Sequence, residues 1–233
     1  MAKYNGQMAT CGSASGILIT KEYECNQGIQ VLDEKEEGKI LESAVKLAQV
    51  HYEAMIEDAK KSFGSVVSTM VWSHQQLILD HGFHTMIRDT IKSEPCSVND
   101  AIFKAVNLTI TPMLESTDIY FKERANDVKY VAGWLARCCN LVRAKTKHHK
   151  FVIKPQKVAS ILVGENFGLE DIIMAKKERI LGLIDKEGSI QSHAAMVAKE
   201  LSIPMIVQVN KEIDSYLNNF VYLNATHGFV EVE

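Results

Sequence analysis

The segment Gly188-Ser189-Ile190-Gln191-Ser192-His193 carries the clearest chemistry in this chain. A small, polar turn here runs into Ala194-Ala195-Met196-Val197-Ala198-Lys199-Glu200-Leu201, and then Ser202-Ile203-Pro204. His193 therefore falls at or beside a helix start. N–H groups of a first helical turn have no intrahelical acceptor, and the helix dipole adds partial positive charge there. That end of a helix disfavours an imidazolium and favours an anionic phosphoryl group. A neutral imidazole is a competent nucleophile near pH 7, since its unperturbed pKa is about 6.5. Phosphoryl transfer needs in-line positioning and charge stabilisation more than covalent help. Ser189, Gln191 and Ser192 supply donors for that purpose. The plainer reading is a capping or core histidine, and the turn and helix alone shift the balance only modestly.

The other reactive side chains have plainer roles. Cys11, Cys25, Cys96, Cys138 and Cys139 form no CxxC pair and no metal-ligand spacing. Their odd number reads as reduced thiols in a cytoplasm, most simply as small buried residues. His81 and His84 have a metal-like i, i+3 spacing without a carboxylate or thiol on the same face, and are expected to be solvent-exposed. No metal site is expected. His227 reads as a turn residue, and Trp72 and Trp134 as core or interface packing. Arg124 is read first as an ion pair within a helical bundle.

Two halves position these groups. In 35–63 the apolar series Leu41, Val45, Ala48, Tyr52, Met55, Ala59 marks one stripe of a helix ending at Gly64. A second helix begins near Val67, carries His74, Leu77 and Ile78, and is broken at Gly82. Ser97 caps a third, with Val98, Ala101, Ile102, Ala105 and Val106 behind it. A fourth starts near Thr117, with Tyr120, Arg124, Val128, Val131, Leu135, Cys138 and Val142 on one side. Such stripes bury one another as a bundle or a pair of hairpins. Residues 157–233 alternate instead: strands at 158–163, 180–184 and 205–209, helices at 169–177 and 193–201, and a hairpin of 220–223 with 229–232 about 224–228. Strand-like 16–19 precedes the helices and can join that sheet. The helical block, 34–145, thus reads as an insertion in an α/β domain made of 1–33 and 146–233. One crossing, with Arg143, Lys145, Lys147, His148, His149 and Lys150, reads as a solvated basic connector. There is no internal repeat and no low-complexity segment.

Bulk properties narrow the classes. The 233 residues suffice for one large domain or two small ones. At 46% hydrophobic and 24% charged, the chain is too apolar for intrinsic disorder. Its 26 Lys and Arg against 29 Asp and Glu leave a net charge of −3, which argues against binding nucleic acid by bulk charge. No apolar run approaches the roughly 20 residues of a membrane span. The N-terminus has no basic region followed by a long apolar one, so a cytoplasmic chain is expected.

Residues 188–204 resemble the phosphohistidine segment of the phosphoenolpyruvate-utilising enzymes, through Gly188, Ser192, His193, Ala194, Ala195, Ala198, Leu201, Ile203 and Pro204. The helical half narrows the likeness. Asp118, Tyr120, Glu123, Arg124, Ala125, Asp127 and Val128 resemble a stretch of enzyme I of the bacterial sugar phosphotransferase system. His74 with Leu77, Ile78, Leu79 and Asp80 resembles that family's partner-docking helix, and residues 12–19 its opening segment. The motifs occur in the family's order over nearly the whole chain.

The resemblance implies an α/β phosphohistidine (swivelling) domain with an inserted all-α helical-hairpin subdomain. It implies a cytoplasmic phosphotransferase, a histidine-directed kinase of sugar transport, in which His193 is phosphorylated and passes the group to a histidine of the phosphocarrier HPr. Gly188, Ser189, Gln191 and Ser192 would shape the phosphoryl pocket. His74, Leu77, Ile78 and Phe83, with Arg124, would receive the partner. A C-terminal phosphoenolpyruvate- and Mg2+-binding barrel domain would follow in the full-length family member. Since the sequence ends at Glu233, no cofactor is expected in this chain, nor direct acceptance of phosphate from phosphoenolpyruvate; exchange with phosphorylated HPr would remain. No nucleic acid or membrane partner is expected.

Some positions depart from the family pattern. Ser189, Ile190 and Gln191 stand at a glycine, a variable position and a threonine, and Gly168 replaces a threonine that would hydrogen-bond the histidine. Ser15-Gly16 lacks a proline, and Trp72, Ser73, His81 and His84 replace carboxylates or a proline on the docking helix. A weaker acidic face would steer a basic carrier less well. The departures also fit a non-catalytic or specialised paralogue that docks a phosphocarrier, including the enzyme-I-like region of a dihydroxyacetone-kinase phosphotransfer subunit. A pyruvate-phosphate dikinase domain fits less well, because of Glu123-Arg124-Ala125 and the helical insertion.

Overall fold

A computed structural model of the chain describes residues 2–20, 31–144 and 158–232. Cys25 and the basic stretch 145–150 lie outside these residues. The chain divides into two compact units, Met1–Tyr23 with Phe151–Glu233, and Glu24–Lys150.

Among the described residues, five helices build the second unit. α1 (Glu34–Ser62) is capped by Asp33, whose side chain accepts from the Glu36 N–H, and buries Leu41, Ala44, Ala48, Tyr52, Met55 and Ala59. That is the expected stripe, except that Val45 is only half-buried. α2 (Ser65–Ile78) ends earlier than its pattern suggests, and α3 (His81–Ser93) follows after a two-residue break. The sequence reading placed the break at Gly82 and missed α3. The break lies instead at Asp80, whose carboxylate accepts from the Phe83 N–H at 2.6 Å, so Gly82 falls inside the first turn of the new helix. α4 (Val98–Glu115) opens with a capping box between Ser97 and Asp100. α5 (Ile119–Ala144) buries Ala125, Val131, Trp134, Leu135, Cys138 and Cys139, whereas Tyr120, expected on the same stripe, is 58% exposed. Trp134 lies in the core, its ring 4.5 Å from His51 and 6.4 Å from Tyr52. Trp72 does not: it is 51% exposed.

The thiols follow their surroundings. Cys96, Cys138 and Cys139 are buried, as expected, but Cys11 is exposed. Burial pushes the Cys138 thiol up to about 12, which keeps it an unreactive thiol. No helix among the described residues is long and apolar enough to cross a membrane.

The first unit is an eight-stranded sheet in the order β1-β8-β7-β3-β4-β5-β6-β2. The strands are β1 (Ala2–Asn5), β2 (Gln7–Thr10), β3 (Ser13–Thr20), β4 (Ser160–Gly164), β5 (Gly182–Asp185), β6 (Met205–Val207), β7 (Phe220–Asn224) and β8 (Phe229–Val232). β3, β4, β5 and β6 run parallel, with Leu18 opposite Ile161 and Leu162 opposite Leu183. β7, β8, β1 and β2 join antiparallel. The helices α6 (Leu169–Lys177) and α7 (His193–Glu200) are the crossovers after β4 and β5. β3 and β4 are parallel neighbours, so the whole helical unit occupies the connection between them. β4 and β5 are buried throughout, as parallel strands are when both faces are covered. Leu18, Ile161, Val163, Ile184, Ile206, Val221, Leu223 and Val230 form their core.

The strands β1 and β2 were not expected. They occupy opposite edges of the sheet, yet only Gly6 separates them. A single residue reaches only some 7 Å between its neighbours' Cα atoms, so the sheet must curl until its edges meet. Gly6 makes the seam: its N–H donates to the Gly228 carbonyl at 2.9 Å, and a Cβ there would lie 2.7 Å from Val209 and 2.8 Å from the Val207 carbonyl.

Candidate functional site

The loop before α7 is organised by a buried carboxylate at the end of β5. Asp185 is 1% exposed. Its Oδ1 accepts the N–H groups of Asn166 at 2.8 Å, Glu187 at 3.1 Å and Gly188 at 2.9 Å, and its Oδ2 that of Phe167 at 2.8 Å. Burial lifts its carboxyl above the ordinary aspartate range, with the four N–H donors pulling the other way. Gly188 follows from this contact: a Cβ there would lie 2.6 Å from the Asp185 Cγ. Of the residues that the sequence assigned to a phosphoryl pocket, Gly188 thus acts through its close approach to Asp185.

Beyond Gly188 the chain turns on its own polar groups. The Gln191 N–H donates to Ser189 Oγ at 3.1 Å, and the Ser192 N–H to the Ser189 carbonyl at 3.2 Å. Ser192 is the N-cap of α7; its Oγ accepts the Ala195 N–H at 3.1 Å. His193 is the first residue of that helix and is partly exposed, while Ala194, Ala195, Val197 and Ala198 fix the helix to the sheet from their buried face. Gln191, Ile190 and Met196 are exposed. Gly168 stands at the start of α6, its N–H donating to the Asp171 carboxylate at 2.9 Å.

A second set of groups pins the same loops from outside. Lys186 pairs with Glu165 at 3.3 Å and with Asp214, and Lys211 with Glu165 at 3.3 Å and with Glu187. Asn166 Nδ2 donates to Glu187 Oε2 at 2.9 Å. Burial opposes the Lys186 ammonium, but Asp214 and Glu165 outweigh it and hold its pKa above the ordinary lysine range.

In the helical unit, His74 and Ile78 of α2 are each 1% exposed, and Leu77 and Phe83 are half-buried. His74 and Ile78 are buried, and with Val67 and Val71 they complete the buried stripe of α2. His74 Nε2 lies 3.6 Å from Asp127 Oδ1, and the Arg124 guanidinium 3.1 Å from Asp127 Oδ2. Arg124 also lies over the Tyr120 ring, 5.0 Å from its centre. Asp127 thus joins His74 to Arg124, and the ion pair expected for Arg124 is one turn away. His84 was expected in solvent, but it is half-buried with its Nε2 2.7 Å from the Ile78 carbonyl. His227 is a turn residue, its N–H donating to Asn224 Oδ1 at 3.1 Å.

Asp185 escaped the sequence reading: it lies in no recognisable catalytic spacing, and its partners come from a loop up to 19 residues away. Asp127 entered that reading only as part of the family-like stretch, with no role of its own.

Two family descriptions match this arrangement: "PEP-utilising enzyme, N-terminal" over residues 5–124 and "PEP-utilising enzyme, mobile domain" over residues 157–228. The chain belongs to the PEP-utilising enzymes. As a member of that family it is 26% identical over 185 residues to a phosphoenolpyruvate-protein phosphotransferase of Haemophilus influenzae, covering 75% of this chain and 31% of that protein. It is 23% identical over 224 residues to the protein of the same name in Mycoplasma capricolum, covering 95% of this chain and 38% of that one. The chain thus spans about a third of the length of these relatives. Its fold is that of the enzyme I N-terminal domain. A structure described as "NMR solution structure of Enzyme I (nEIt) protein using two 4D-spectra" matches with a TM-score of 0.69 at 22% identity, over 99% of this chain and 92% of that one. Another, "N-terminal domain of Enzyme 1 - Nitrogen", matches with a TM-score of 0.61 at 16% identity, over 98% and 93%.

Proposed function

We propose that this chain is the phosphocarrier-facing part of a phosphoenolpyruvate-protein phosphotransferase, with His193 carrying the phosphoryl group. The observation behind this reading is the position of His193. It opens α7, behind a loop tied to the sheet, within the segment that matches the mobile domain of the family. A lone pair of a His193 ring nitrogen attacks phosphorus, a P–N bond forms, and the donor's own P–N bond breaks. The N–H groups of the first turn of α7 lie where the added charge would be stabilised. Gly188, Ser189, Gln191 and Ser192 shape the pocket, the last two residues before His193 through their turn and cap.

The donor and acceptor in this reading is an HPr-like phosphocarrier, received by the helical unit in the cytoplasm. Leu77, Phe83 and Arg124 offer the accessible part of that surface, with His74 held behind them by Asp127. Phosphoenolpyruvate and Mg2+ would belong to a further C-terminal domain, and this chain's residues are assigned no part in holding them. Nucleic acid and membrane have no role in the reading.

Intact-mass analysis after exposure to phosphorylated HPr tests it. The wild-type chain should gain one acid-labile, base-stable phosphoryl group, and His193→Ala should gain none. A wild-type chain that takes no phosphoryl group from HPr would overturn the reading.

A further inference from the structure

The loop that ends in His193 is held from two sides of unequal strength. On the outside, the pairs of Lys211 with Glu187 and Glu165 face water and so contribute little, while the largely buried Lys186 ties Glu165 to Asp214. On the inside is one carboxylate, out of water, with four backbone N–H groups on it. Hydrogen bonds to a charged acceptor are roughly twice as strong as neutral ones, and more costly to remove when buried. The carboxylate therefore decides where the loop runs.

Three features show how closely it does so. Asn166 holds a left-handed backbone with φ of 48°, uncommon for a residue with a side chain, and its N–H is one of the four. Gly188 rests so close on the carboxylate that any Cβ would collide. From Gly188 to His193 the turn is then held by hydrogen bonds from the Gln191 and Ser192 N–H groups to Ser189 and from the Ala195 N–H to Ser192. Little slack separates the Asp185 oxygens from the first turn of α7.

We propose that Asp185 is a positioning residue for phosphoryl transfer: by gathering the N–H groups of Asn166, Phe167, Glu187 and Gly188, its carboxylate sets the place of His193 and of the helix start that receives the phosphoryl group. This rests on the reading of His193 as the phosphorylated residue. Asp185 never touches phosphorus. It acts through the loop, because a displacement of about 1 Å at a reacting group can lower a rate about 100-fold.

The test uses the full chain, HPr phosphorylated on its histidine, and two variants. Asp185→Asn keeps the volume but turns one acceptor into an NH2 donor facing N–H groups. Gly188→Ala keeps the carboxylate but pushes the loop off it. Both should retain the circular dichroism of the wild type, lose about 10- to 100-fold in the rate constant of phosphoryl acceptance, and leave the KM for phosphorylated HPr unchanged. The nitrogen NMR resonances of the His193 ring should shift in both. Folded variants that accept phosphate at the wild-type rate overturn the proposal, and so does loss of fold in both, since Asp185 would then be only structural. Failure of the wild type to accept any phosphate instead overturns the reading of His193, so the two failures are distinct.

Discussion

At His84 one ring nitrogen faces the Ile78 carbonyl at 2.7 Å, close to the end of α2. A carbonyl only accepts, so Nε2 carries the hydrogen and the ring takes up an orphan acceptor of the helix terminus. Burial lowers the His84 pKa below the ordinary histidine value, although the Ile78 contact works the other way. The fold thus resists protonating this ring. Its stabilising effect is complete above the unfolded pKa of about 6.5 and is lost as the pH falls from there through the lower folded value. Thermal melts from pH 7.5 to 5.5 should show a drop in Tm that is smaller in His84→Gln. The difference should be worth less than about 1 kcal/mol, since the ring is only half out of water.

At the scale of elements, Glu37 does in the helical unit what Asp185 does in the sheet. It is buried in the first turn of α1, and it accepts the N–H groups of Leu32 at 3.0 Å and of Val98 at 2.8 Å. It also pairs with Arg143 near the end of α5. One carboxylate thereby fastens the starts of α1 and α4 to the end of α5. Burial alone would raise its pKa, but Arg143 and the two N–H groups outweigh that and hold it below the ordinary glutamate range. The stabilisation is then complete above the unfolded pKa of about 4.3 and is lost as the pH falls through the lower folded value. Glu37→Ala should cost about 3 kcal/mol at pH 7 in chemical denaturation, and should flatten the stability loss below pH 4. Of these elements, α1 is legible in residues alone, because its apolar steps from Leu41 to Ala59 match one helical face. The α2–α3 break is not, because the deciding contact is one cap at Asp80, and a glycine two residues on is the louder local signal.

For the sheet as a whole, closure depends on Gly6. Gly6→Ala places a methyl against Val209 and the Val207 carbonyl, and overpacking of this kind costs about 1–3 kcal/mol. Unfolding should move to a Tm lower by several degrees, with β1 and β2 losing hydrogen-exchange protection first. A variant as stable as the wild type would mean that the seam is not tight. Short-range chemistry could be read from the sequence: the polar turn before His193, the helix after it, the buried parallel strands and the long helical stripes are each set by neighbours a few residues apart. The tertiary structure decided what requires distant groups to meet. The strands of four residues on either side of Gly6 gain their partners only when the sheet curls. Asp185 becomes a hub only when the loop after β4 is brought beside it, because a carboxylate's acceptors have no sequence signature until the donors arrive.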